Sequence, residues 1–221
     1  MKIFCLIQSS AKCLDRINRV KNTWTKDIPH LFYSDHEDIQ QNIIKVSDCS
    51  DYICTDEKNV GVINLIRENY NNIIDLYDWI FFCDDDTFVD VKLLHEQVEY
   101  FNKLCVYGNM LSYETGPNNP IYQRSNIPIS LIYPQGGSGY LISTFLLKNC
   151  GKFTLFKTNY ADVDVGLNLH YKKIQKIHCS LLNSEPPEFY KHDVKSILES
   201  ITYHHIYTDE QMNYLYNLKT S

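Results

Sequence analysis

The sequence predicts an α/β domain built around a mostly parallel sheet, and three observations carry that expectation. Short apolar runs alternate with longer segments whose apolar residues recur at helical spacing. One run, Trp79 to Cys83, is apolar at every position, as expected of a central strand covered on both faces. That run stops abruptly at Asp84-Asp85-Asp86, and in parallel sheets ligands bind at the carboxyl ends of strands.

In chain order, Ile3 to Gln8 reads as a buried strand followed by Ser9 and Ser10. Leu14 to Trp24 is helix-like and rich in Arg and Lys, and His30 to Ser34 is a second strand ending at Asp35. Ile43 to Val46 gives a short third strand, and Val60 to Tyr77 a helix with apolar residues at 62, 65, 66, 70, 73 and 74. After the aspartates, Val91, Leu94, Val98 and Phe101 mark one helix face. Residues 104 to 111 read as a strand, and Gly116 to Pro128 as an irregular loop. Gln135 to Gly139 is a tight turn running into an apolar segment. A helix is expected to start near Asp162 and carry Val163, Leu167, His170 and Ile174, with a strand over Ile177 to Leu182. The last forty residues are polar, rich in Tyr and His, and give no clear pattern.

A length of 221 residues without a Pro/Gly/Ser-rich divider fits one domain. A net charge of -6 argues against a nucleic-acid partner, yet a bridging cation lets an acidic protein hold an anionic nucleotide. The eight cysteines are scattered without a CxxC pair, so buried free thiols are expected and zinc is not. No membrane segment is expected, because no stretch approaches about 20 apolar residues. The N-terminal apolar run is too short for a signal peptide. A cytoplasmic setting, viral or microbial, is therefore expected, or a Golgi lumen if a membrane anchor has been removed.

Three motifs carry chemistry. Adjacent carboxylates at Asp84, Asp85 and Asp86 repel: a like-charge pair about 4 Å apart costs roughly 4 kcal/mol at an effective dielectric near 20. A hard cation such as Mg²⁺ or Mn²⁺ relieves that cost and keeps positions open for a diphosphate. An acidic surface turn is the plainer reading. An aspartyl phosphotransferase of the dehalogenase type, with Asp84 as nucleophile and Asp86 as acid, is the chemical rival. The second motif is Gln135-Gly136-Gly137-Ser138-Gly139-Tyr140, whose glycines permit close backbone approach to a ligand, or simply form a turn. The third is Ala161-Asp162-Val163-Asp164-Val165-Gly166. Asp162 there is either a helix-start residue or a general base. In the C-terminal region His192, His204 and His205 stand near Glu185, Glu188 and Asp193, and one of these histidines could complete a metal shell.

Taken together, the motifs resemble those of the β1,3-glycosyltransferase family that contains Fringe and the core-1 galactosyltransferase. That family has an apolar strand followed by Asp-Asp-Asp-Thr/Asn-aromatic-Val. Gly-Gly-x-Gly-Tyr-x-x-Ser comes next, matched by Gly136 to Ser143, and then an acidic Asp-Val-x-Val-Gly element, matched by Asp162 to Gly166. Arg19 to Trp24 and Leu31 to Asp35 also resemble the family's first helix and second strand, so the resemblance covers roughly residues 1 to 205.

The resemblance implies a GT-A-type, Rossmann-like fold. Its nucleotide-binding part would span about residues 1–110 and its acceptor-binding part about 111–221. It implies an inverting enzyme that moves a hexose or N-acetylhexosamine from a UDP-sugar to a glycan or glycoprotein hydroxyl, β1,3-linked, with Mn²⁺ or alternatively Mg²⁺. Asp86 would bind the metal, while Asp84 and Asp85 contact the donor. Asp162 would be the base. Ser9, Arg19, Asp35, Gly136 and Gly137 would lie at the nucleotide-sugar. The family's C-terminal metal histidine is matched most closely by His192, in Phe189-Tyr190-Lys191-His192, with His204 and His205 as alternatives. Ala161 departs from the family's acidic residue before the base, and Arg67 stands where a lysine is common. A third reading, from another functional class, is a non-catalytic sugar- or nucleotide-binding protein of the same fold.

Overall fold

The computed structural model describes residues 1–51, 54–114 and 130–220. Strand β1 (Ile3–Gln8) lies between β2 (His30–Ser34) and β4 (Trp79–Asp84) and runs parallel to both. β3 (Ile43–Lys45) extends the sheet beyond β2, again parallel. On the other side of β4, β9 (Tyr140–Ser143) is inserted antiparallel to β4 and to β6 (Cys105–Gly108). β10 (Gln175–His178) closes that edge parallel to β6, so the seven-stranded order is β10-β6-β9-β4-β1-β2-β3.

Alternation along β1 and β4 sorts the core into two layers, because successive strand side chains point to opposite faces. Ile3, Cys5, Ile7, Trp79, Phe81 and Cys83 pack on one face, with Ile17 and Val20 of helix α1 (Leu14–Lys21). Leu94 and Val98 of α4 (Val91–Val98) and Met212 and Leu215 of α9 (Asp209–Thr220) join them there. Phe4, Leu6, Ile80 and Phe82 pack on the other face against α2 (Thr55–Asn69), α3 (Asn71–Leu76), α5 (Thr144–Asn149) and α6 (Ala161–Tyr171). Burying each such side chain contributes about 1.5–3 kcal/mol. This double burial is why β4 reads as an unbroken apolar run.

Several expectations are corrected. The helix expected over 60–77 starts at Thr55 and divides at Tyr70, whose backbone (φ -117°, ψ 54°) leaves the helical region and so ends α2 before α3 begins. The strand expected over 104–111 divides at Asn109. β6 stays in the main sheet while β7 (Met110–Glu114) pairs antiparallel with β8 (Ser130–Pro134). Gly108 permits that crossing, since a Cβ there would lie 3.0 Å from Pro134 Cβ and 3.1 Å from Tyr140 Cβ. The strand expected over 177–182 is likewise two pieces, β10 and β11 (Leu182–Asn183). Cys49 and Cys54 form a disulfide rather than free thiols, their Cα atoms being 6.0 Å apart; the other six cysteines are free. The loop expected over 116–128 lies outside the described residues. Among the described residues, no helix is long and apolar enough to cross a membrane.

The C-terminal region, unassigned from sequence, is ordered by pairing. β12 (Thr202–Tyr203) lies between β11 and β5 (Phe88–Val89), antiparallel to β5. Short helices α7 (Pro187–Tyr190) and α8 (Val194–Leu198) lead into it. Helix α9 is pinned by Lys219, whose Nζ meets Asp90 Oδ2 at 2.8 Å and the carbonyls of Leu198 and Ser200 at 2.9 and 2.7 Å. Both side chains of that pair are nearly inaccessible (4% and 12% exposed). Removing one partner of such a pair leaves an uncompensated buried charge, so Lys219→Met should lower stability by about 3 kcal/mol in a urea titration.

Candidate active site

Asp84 ends β4, Asp85 and Asp86 form the turn into β5, and that turn is fastened from three directions. The Asp85 amide donates to the Gln8 carbonyl at the end of β1 (3.1 Å). Trp24 Nε1 donates to the Thr87 carbonyl (2.9 Å), and Thr87 Oγ1 donates to the Gly137 carbonyl (2.7 Å). Strand β12 completes the site. Tyr203 pairs with Phe88, the Ile206 amide donates to the Asp86 carbonyl at 2.9 Å, and so His204 is delivered beside the aspartates.

Asp84, Asp86 and His204 converge, with one donor atom from each lying within 4.8 Å of the other two. His204 Nε2 is 3.0 Å from Asp86 Oδ1 and 3.7 Å from Asp84 Oδ2. Asp86 Oδ1 is buried and has no hydrogen bond of adequate geometry despite that short approach. A buried carboxylate oxygen without a well-aligned hydrogen bond is costly, and a cation would satisfy it. Two carboxylates and one imidazole form a donor set that suits a divalent metal.

The electrostatics agree with crowding. Burial raises the Asp84 carboxyl to about 6 against the pull of His204, with Asp86 and Asp162 adding to the rise. Burial raises Asp85 to about 7, against the hydrogen bond from Ser9. For Asp86 burial also opposes ionisation, but His204 and Arg16 outweigh it and hold this carboxyl below its ordinary value. Burial would lower His204, but Asp86 and Asp84 outweigh that and raise it.

These groups open onto a cleft of about 400 Å³ at the carboxyl ends of β1 and β4. Ser9 lines it and donates to Asp85 Oδ2 at 2.5 Å. Arg16 of α1 reaches Asp86 Oδ2 at 3.1 Å and Asp85 Oδ1 at 3.4 Å. Lys58 of α2 lies buried in the wall, 3.1 Å from Asp35 Oδ1 and 3.4 Å from the Ser9 carbonyl. Burial would raise Asp35, but Lys58 and hydrogen-bonding neighbours hold its carboxyl well below the usual range.

The glycine turn separates two functional groups. A Cβ on Gly137 would lie 2.1 Å from His204 Cε1, so the imidazole packs directly on bare backbone. A Cβ on Gly136 would lie 4.0 Å from Asp162 Cβ, so the Asp162 side chain faces the bare backbone of the turn, and the Gly136 amide helps to draw its carboxyl down. Gly139 has φ +85°, and a Cβ there would meet Phe81 Cζ at 2.2 Å. Asp162 stands in the first turn of α6 and accepts from the Val163 amide at 2.9 Å. Burial raises its pKa despite the pull of nearby backbone amides. The neighbouring Asp164 instead binds the amides of Phe156 and Thr158 and the Thr158 hydroxyl, fixing the approach to α6.

Of the residues singled out from sequence, Asp84, Asp85, Asp86 and Ser9 meet in the cleft. Gly137 touches its histidine, Gly136 faces Asp162, and Asp35 supports Lys58. Two expectations are corrected. His192 lies away from the aspartates, because its Nδ1 binds the Tyr203 hydroxyl at 2.6 Å; His204 takes the place beside Asp84 and Asp86. Arg19 points to the C-terminal segment, binding Asp209 Oδ1 (2.8 Å) and the Ile206 carbonyl (3.1 Å), and Arg16 one turn earlier faces the cleft. Sequence reasoning missed Arg16 and Lys58. Arg16 and Arg19 lie one turn apart in α1, and only their partners in the folded chain distinguish them.

A family model described as Fringe-like matches residues 1–215. Comparison with curated proteins gives no match. Among solved structures, the chain is similar to a glycosyltransferase involved in the glycosylation of the major capsid of PBCV-1, with 11% identity, TM-score 0.50, and 97% of this chain and 98% of that one covered. It is similar to the galactosyltransferase LgtC in complex with donor and acceptor sugar analogues, with 10% identity, TM-score 0.50, and 99% and 96% covered. An active-site mutant of LgtC gives 11% identity, TM-score 0.52, and 96% and 94% covered. At such identities these likenesses establish the GT-A fold, and the match over 1–215 establishes the family: the chain belongs to the Fringe-like glycosyltransferases.

Proposed function

We propose that this glycosyltransferase moves a hexose or N-acetylhexosamine from a UDP-sugar to a glycan or glycoprotein hydroxyl, with inversion, forming a β1,3 linkage. The observation that carries this reading is the convergence of Asp84, Asp86 and His204, with the buried Asp86 Oδ1 held only by its approach to the imidazole, in a cleft of about 400 Å³. Asp84, Asp86 and His204 would hold Mn²⁺, or alternatively Mg²⁺. Bound there, the cation would neutralise charge developing on the departing diphosphate. Asp85, Ser9, Arg16 and Lys58 line the same cleft and would position the donor, with Asp35 holding Lys58.

Asp162, across the glycine turn from His204, would take the acceptor hydroxyl proton as that oxygen attacks the anomeric carbon. The bond from that carbon to the diphosphate oxygen breaks in the same displacement, which inverts the centre. The acceptor would be held by the part of the chain after about residue 111, while the donor cleft also draws on residues 204–207 of that part. Fringe-like membership favours sugar transfer over the aspartyl phosphotransferase alternative.

The direct test is hydrolysis and transfer from a panel of UDP- and GDP-sugars, with Mn²⁺ and with chelator. Turnover of a UDP-sugar only with metal is expected. UDP binding without any turnover would instead support the non-catalytic alternative. A second check is Gly137→Ala. Its Cβ would displace the His204 ring, so Mn²⁺ affinity should fall by about 10–100-fold, the range seen when a ligand's supporting contacts are lost.

A further inference from the structure

Arg16 divides the Asp86 carboxylate. Its Nη1 lies 3.1 Å from Asp86 Oδ2 and 3.4 Å from Asp85 Oδ1, while Asp86 Oδ1 faces His204. The guanidinium carbon sits 5.7 Å above the Tyr207 ring, and the side chain, 34% exposed, lines the cleft. The other cationic side chains there are committed elsewhere: Lys12 pairs with Asp51 and Lys58 with Asp35. Arg16 thus shares the charge of the aspartate turn with His204, and it is the permanently charged member of the two. A divalent ion arriving on Asp86 Oδ1 would share one carboxylate with a positive charge already in place, and like charges repel strongly in a partly desolvated cleft.

We infer that Arg16 is a charge-exchange residue: it opposes a divalent cation bound alone and then moves its guanidinium from Asp85 and Asp86 to the diphosphate of the nucleotide. This inference rests on the reading of Asp84, Asp86 and His204 as cation ligands. The planar fork of arginine suits phosphate as well as carboxylate, and the diphosphate brings enough negative charge to hold both cations. Arg16 therefore makes metal and nucleotide bind cooperatively, each improving the site for the other by the same factor. Tyr207 supplies a face on which the guanidinium can slide without losing contact.

The inference predicts effects of opposite sign from one substitution. In Arg16→Met, which keeps an apolar stem for Tyr207, Mn²⁺ alone should bind about tenfold tighter, while UDP at saturating Mn²⁺ should bind about tenfold weaker, each about 1.4 kcal/mol. Arg16→Lys keeps the charge but loses the fork, so Mn²⁺ affinity should stay near wild type while UDP binding weakens. Isothermal titration of Mn²⁺ and of UDP into wild type, both Arg16 variants and Asp86→Ala measures all of this. Thermal denaturation checks folding, and Arg16→Gln replaces the methionine variant if that one does not fold. Mn²⁺ binding no tighter than wild type, or UDP binding no weaker, in the uncharged variant overturns the inference. Mn²⁺ that binds neither the wild type with UDP present nor Arg16→Met, both indistinguishable from Asp86→Ala, overturns the metal reading and this inference with it.

Discussion

Asp86→Ala should abolish Mn²⁺-dependent UDP binding while the protein stays folded, the largest single loss expected at the donor site. Asp86 is the residue on which the site's charges meet: its Oδ1 faces His204 and its Oδ2 faces Arg16. Losing a group that merely supports a ligand costs about 10–100-fold in metal affinity, so losing a carboxylate ligand itself should cost more. Asp85→Asn is the informative comparison. Both Asp85 oxygens are already engaged, Oδ2 by Ser9 and Oδ1 by Arg16. That variant should therefore weaken UDP binding yet keep its Mn²⁺ dependence. Titration calorimetry with and without Mn²⁺ separates the two. Persistence of Mn²⁺-dependent UDP binding in Asp86→Ala would remove Asp86 from the ligand set.

The sequence shows much of this fold because its physical signals are local. β4 announces itself by five consecutive apolar residues, and the two-face packing of Phe81 and Phe82 explains why no alternation is visible there. The turn at Asp84 to Asp86 is legible because a buried strand rarely ends in three like charges. The glycines at 136, 137 and 139 are legible as a turn, but their reasons are not. Gly137 is bare because His204 lies on it, and Gly139 because Phe81 does, contacts that join residues 58 to 67 positions apart in sequence.

Which histidine lies beside the aspartates is hidden from the sequence for a related reason. His192 lies in the segment that best matches the family's local pattern, but what places a histidine beside the aspartates is the antiparallel pairing of Tyr203 with Phe88. β5 and β12 are each two residues long, too short to leave any periodicity. Register there carries His204 to Asp86, while the Tyr203 hydroxyl on the same strand takes His192. The choice of Arg16 over Arg19 was hidden in the same way, since Arg19 is claimed by Asp209 and the Ile206 carbonyl of the returning C-terminal segment. One segment, 201–209, therefore supplies the cleft histidine and removes both of the mistaken candidates.

Asp162→Asn should bind UDP with Mn²⁺ as wild type does and lose transfer by about 10²–10⁴-fold, the usual range for a missing general base. The substitution keeps an oxygen to accept the Val163 amide, so the geometry at the start of α6 should survive. Stability should survive as well, for a reason of charge. Burial raises the folded-state pKa of Asp162 above its unfolded value of 3.8. The folded state then holds its proton more tightly, and stability falls as pH rises from the unfolded pKa through the folded one. At neutral pH the ionised carboxylate thus opposes folding, and a neutral amide relieves that penalty. Thermal denaturation at about pH 7 should find Asp162→Asn at least as stable as wild type, so lost transfer could not be blamed on unfolding. The same raised pKa places the acid limb of transfer at a higher pH than an ordinary carboxylate would give. Full transfer activity in Asp162→Asn, measured by product formation at saturating donor, would transfer the role of base to another group. Lost UDP binding would instead move Asp162 into the donor site, on the His204 side of the glycine turn.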